Sequence, residues 1–135
     1  MSNQTITIDD YYYDLMRDGN LRTPDHAARV SHAVLHTLGF NLGGAAKRKL
    51  AKALPPELAR DLTRGWRLIN VRHSKLTLDS FAKDVARHSG NTDPDFAKTA
   101  SRAVFAQIKV LVDDDVVRAV ARDLSPEVRA LWNAA

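Results

Sequence analysis

The chain has 135 residues, enough for one domain of ordinary size that buries roughly two-thirds of its unfolded surface. It contains no cysteine, which excludes disulfides, zinc thiolates, iron–sulfur centres and thiol nucleophiles. The net charge is +4, but nine basic residues between Lys47 and Lys75 face only Glu57 and Asp61, so that stretch carries +7 and the rest −3.

In chain order, Met1–Thr5 is polar, without basic flank or apolar stretch, so no secretory signal is expected. Thr7 predicts a helix N-cap, with Asp9 in the first turn and Ile6 reaching Tyr11 as a hydrophobic staple. Gly19 lies near the end of this first helix. Thr23-Pro24-Asp25 reads as cap, proline at the first helical position and acid at the second. The helix that follows carries Ala27, Val30, Val34 and Leu38 on one apolar stripe. Gly43-Gly44 marks a joint, after which Ala46, Leu50, Ala53 and Leu54 predict a third helix. Pro55-Pro56-Glu57 opens a fourth, expected to continue through Arg64 toward Leu68.

The pattern then recurs. Shifted by 70, residues 6–62 fall on 76–132 without a gap, and fifteen of the 57 pairs are identical, among them Thr7/Thr77, Pro24/Pro94, Ser31/Ser101, Arg48/Arg118, Pro56/Pro126 and Glu57/Glu127. Unrelated segments of typical composition match at about one position in fifteen. The expected architecture is all-α: a helical bundle of about eight helices formed by tandem duplication of a four-helix unit. Residues 1–135 form a single domain, with copy one at 6–62, a linker at 63–75 and copy two at 76–132. No apolar run approaches the ~20 residues of a membrane span.

The stretches Ile8–Leu15, Ala33-Val34-Leu35 and Leu54-Pro55-Pro56-Glu57-Leu58, with Leu78–Val85, Ala103-Val104-Phe105 and Leu124-Ser125-Pro126-Glu127-Val128 in the second copy, resemble the bacterial domain of unknown function 2267. The resemblance implies a helical fold and a bacterial, cytoplasmic setting. It brings no catalytic residue.

The candidate sites are few. His32 and His36 stand one helical turn apart, but their mates are Arg102 and Ala106, and they read as solvent-facing rather than metal-ligating. Asp113-Asp114-Asp115 lacks the spacing of a calcium loop and reads as a cap with dipole stabilisation. Gly43-Gly44 lacks the spacing of a phosphate loop, although the helix start beside Lys47, Arg48 and Lys49 would favour an anion weakly. Arg60, Arg64 and Arg67 would form one basic stripe near Trp66, and Lys47, Arg48, Lys49 and Lys52 a second basic surface. Tyr11 and Tyr12 are expected toward the core and Tyr13 outside. Ser31 and Ser101 read as close-packing positions, and Trp132 as a core residue.

No nucleophile, base and orienting group can be assembled from these residues, and no cofactor is expected. The favoured expectation is a non-catalytic helical protein-interaction module with an unknown protein partner, presenting a groove along the junction of the copies. The alternative is a small nucleic-acid-binding protein acting through Lys47 to Lys75.

Overall fold

The computed structural model describes residues 7–64 and 75–135. They form eight helices and, among the described residues, no strand: α1 (Ile8–Asp18), α2 (Pro24–Phe40), α3 (Gly44–Ala53), α4 (Pro56–Thr63), α5 (Leu78–His88), α6 (Pro94–Leu111), α7 (Asp114–Asp123) and α8 (Pro126–Ala134). The chain is an all-α bundle. Each of the first four helices starts 70 residues before its counterpart among the last four.

Local chemistry sets the boundaries. The Thr7 hydroxyl accepts the Asp10 N–H at 3.1 Å while the Asp10 carboxylate accepts the Thr7 N–H at 3.4 Å, a reciprocal capping box. Thr77 caps α5 through the Ser80 N–H, Thr23 caps α2 through His26, and Asp93 caps α6 through Phe96. Pro24, Pro56, Pro94 and Pro126 each open a helix, where a missing N–H costs nothing. Asp113 stands at the N-cap of α7 but its side chain makes no capping bond, so only the dipole part of the expectation holds, through Asp114 and Asp115 in the first turn.

One expected element is shorter than its pattern. α4 ends at Thr63, and Arg64 is extended (φ −62°, ψ 157°), so the helix does not run on toward Leu68. Gly65 follows in sequence, a residue about 1 kcal/mol worse than alanine in a helix interior. Ile6, the outer half of the expected staple on α1, lies outside the described residues.

α2 and α6 carry the centre of the core. Ala27, Val30, Val34 and Leu38 are buried along α2, and Ala97, Ala100, Val104 and Ile108 along α6. Buried residues from both halves join in one apolar cluster. Within the halves α1 lies on α2 and α5 on α6. Between them α1 meets α6, α5 meets α2, α2 meets α6, and α3 meets α7. Every contact between halves is thus matched by its reverse or maps onto itself, the pattern of an interface related by a two-fold axis.

Candidate functional site: a polar cleft at the junction of the halves

The most polar cavity lies where the first half meets the end of α5. It has a volume of about 430 Å³ and is lined by Tyr12 from α1, Ala28, Arg29 and His32 from α2, Glu57 and Asp61 from α4, and His88, Ser89 and Gly90. Helical spacing explains the grouping. Ala28 and His32, like Glu57 and Asp61, stand four residues apart, so each pair shares a helix face. Gly90 follows α5 at φ 92°, a left-handed conformation open to glycine at no steric cost.

Two side-chain pairs organise the cleft. The Tyr12 hydroxyl donates to Glu57 Oε2 at 2.6 Å, and burial together with that carboxylate pushes the phenol pKa far up, which keeps its proton in place. His32 Nδ1 lies 2.9 Å from Asp61 Oδ1, and the Asp61 side chain is only 13% exposed. This fixes the His32 ring by one nitrogen and leaves Nε2 as its other polar atom. Behind them the buried Tyr11 and Ser31 hydroxyls share a hydrogen bond of 2.7 Å.

His36 continues the line. Its ring is 6.0 Å from His32, 4.6 Å from His88 and 4.7 Å from the edge-on Phe40. Its Nδ1 is buried and has no hydrogen-bond partner among the described residues. Burial lowers its pKa, and His88, His32, Arg64 and Lys47 push in the same direction. His32 and His36 are therefore half-buried, not solvent-facing as their position off the apolar stripe suggested. Elements distant in sequence cover them: α4 on one side and the α5 end on the other. Among the described residues, no group of three or more histidine, aspartate or glutamate side chains is placed to hold a metal ion.

The pairing of His32 with Asp61 spans 29 residues, and that of Tyr12 with Glu57 spans 45. Sequence reasoning missed both. A signal was present in the repeat itself. The positions of Tyr12, Arg29, His32 and Asp61 hold Ala82, Thr99, Arg102 and Leu131 in the second half, and only Glu57 keeps its identity, as Glu127. There Glu127 accepts the Leu78 N–H at 2.8 Å and Arg102 donates to the Ala134 carbonyl at 3.2 Å, so these side chains close helix ends instead of lining a cleft.

The basic middle is dispersed. Lys47 is buried, its Nζ 6.0 Å from the centre of the Phe40 ring. Lys49 Nζ lies 3.3 Å from Asp115 Oδ2 on α7. Arg48 and Lys52 are exposed on α3, Arg60 on α4, and Arg64 just beyond it. With α4 ended, Arg60 and Arg64 do not share the helix face on which they were to align with Arg67. Arg67, Trp66 and Arg72 lie outside the described residues. The anion-favouring start of α3 is already occupied, because the Asp123 carboxylate accepts the Gly43 N–H. The remaining expectations fare well: Tyr11 is buried, Tyr12 half-buried, Tyr13 exposed, and Ser31, Ser101 and Trp132 buried.

An eight-helix bundle with a polar cleft between its halves defines the class. The chain belongs to the uncharacterised conserved protein family DUF2267, whose family model matches residues 9–131. No curated protein matches it.

Proposed function

We propose that the chain is a non-catalytic interaction module that takes a segment of a partner protein into the cleft between its halves. The observation that carries this reading is the confinement of Tyr12, Arg29, His32 and Asp61 to one half. The second half folds with Ala82, Thr99, Arg102 and Leu131 at those places, so the fold does not need the polar set. The cleft also has the composition of a recognition site: an aromatic face, two carboxylates held by hydrogen bonds, and the exposed Arg29 guanidinium. The basic stretch from Lys47 to Lys75 supports a nucleic-acid surface less well, since Lys47 is buried under Phe40 and Lys49 is directed to Asp115.

Site-specific photo-crosslinking in cells tests the proposal. A photoreactive phenylalanine analogue at Ala28, inside the cleft, should give a discrete protein adduct, and the same analogue at Val110, exposed on α6, should not. Adding His32→Ala and Asp61→Ala should abolish the adduct in a protein that remains folded by circular dichroism. No adduct at Ala28, or the same adducts at both positions, would overturn it.

A further inference from the structure

Away from the cleft, the surface of α7 and α8 holds a second pocket of about 410 Å³, lined by Arg118, Ala121, Arg122 and Arg129. We infer that this pocket binds phosphoryl groups of a nucleic-acid backbone, through arginines outside the basic middle of the sequence.

Three observations carry the inference. First, no carboxylate lines the pocket. The acids interspersed with these arginines are directed elsewhere: Asp115 to Lys49, Asp123 to the Gly43 N–H, and Glu127 to the Leu78 N–H. Arg118 and Arg122 stand four residues apart, a spacing at which like charges on a helix repel, and a bound anion relieves that repulsion. Second, one guanidinium is already fixed. Arg129 Nε donates to the Ala121 carbonyl at 2.7 Å, and Nη2 to the Leu124 and Arg122 carbonyls at 2.8 and 3.3 Å. Nη1 takes no part in these bonds, and a guanidinium held in this way loses little further freedom when it grips a phosphate.

Third, the cationic surface extends beyond one pocket. α3 lies against α7, and its exposed Arg48 and Lys52 occupy the places that Arg118 and Arg122 hold 70 residues later. A row of cations across two neighbouring helices suits a polyanion better than a single small ion. The exposed large apolar residues, Tyr13 and Val110, lie on α1 and α6, so α7 and α8 offer none to a lipid surface.

Fluorescence anisotropy with labelled single- and double-stranded oligonucleotides at about 50 mM salt tests the inference. The full chain should bind one of them, with an affinity that falls as salt rises. Arg118→Glu with Arg122→Glu should weaken binding at least about tenfold and shallow the salt slope by about one per arginine. Arg118→Gln with Arg122→Gln should weaken it less while leaving the unfolding midpoint unchanged, which separates charge from folding. His32→Ala in the cleft should leave oligonucleotide binding intact. Absence of binding at low salt would overturn the inference. So would binding that survives the glutamate variant but is lost on Arg60→Glu with Arg64→Glu, or retention of the chain on anionic vesicles or an acidic peptide but on neither oligonucleotide.

Discussion

Where the first half sets Gly39 against Leu62, the second sets Lys109 against Trp132, and the two halves pack their last helices differently as a result. A Cβ on Gly39 would come within 2.1 Å of the Leu62 carbonyl oxygen, so α4 lies directly on α2. In the second half Trp132 is fully buried, its ring 5.1 Å from Phe105 and its indole N–H on the Val117 carbonyl. Lys109 donates from the edge of that contact to the Trp132 and Ala135 carbonyls at 2.8 and 2.9 Å. One pattern of caps and apolar positions therefore supports two solutions at the same joint. The close approach of α4 in the first half also brings Glu57 and Asp61 within reach of Tyr12 and His32.

The contrast can be broken by substitution. Gly39→Ala should have the largest effect, about 3 kcal/mol or more in urea unfolding, because backbone rather than a flexible side chain meets the new methyl. Lys109→Ala, at the matching place, should cost about 1 kcal/mol, the worth of its bonds to carbonyls. Trp132→Leu copies the first half into the second and should cost about 2–3 kcal/mol, since α8 is spaced for the larger ring. A cost near zero would mean that α8 can close down as α4 does.

Smaller effects sharpen the comparison. Tyr11→Phe makes the first half resemble the second, where Phe81 leaves the buried Ser101 hydroxyl without a partner. It should cost about 1 kcal/mol by stranding Ser31, whereas Ser101→Ala should be neutral or slightly stabilising. A similar loss from both serine-to-alanine variants would show that the Tyr11–Ser31 bond contributes nothing.

His36 adds a pH dependence. Its folded pKa lies below the ordinary 6.5, so its contribution to stability is fully present above that value and is lost as pH falls from there through the folded pKa. The charged groups acting on it from α2, α3, α5 and the end of α4 are all cationic or become so, and Asp61 is engaged by His32. The urea midpoint should drop between about pH 7.5 and 5.5, and His36→Leu should reduce the drop. An equal drop in the variant would place the sensitivity elsewhere.

Much of the fold was legible because its signals act over three or four residues. Thr7 and Thr77 as caps, the prolines at helix starts, and the stripes through Val34 and Val104 follow from local sequence alone. The candidate site was legible only in part. His32 and His36 stood out by spacing, but their burial depends on α4 and α5, which no local pattern places. The basic middle misled because a charge count along the chain ignores which side chains face an acidic helix: Lys49 meets Asp115, and Lys47 turns inward beneath Phe40.

By itself the sequence determined eight helices, their boundaries to within a turn, and the apolar face of each, since caps and 3.6-residue periodicity are short-range physics. Only the tertiary structure decided which helices meet across the halves, that Asp123 fills the start of α3, that His32 finds Asp61, and that arginines 118, 122 and 129 share a pocket. Those outcomes depend on shape and charge brought together from distant parts of the chain, where spacing along the backbone carries no information.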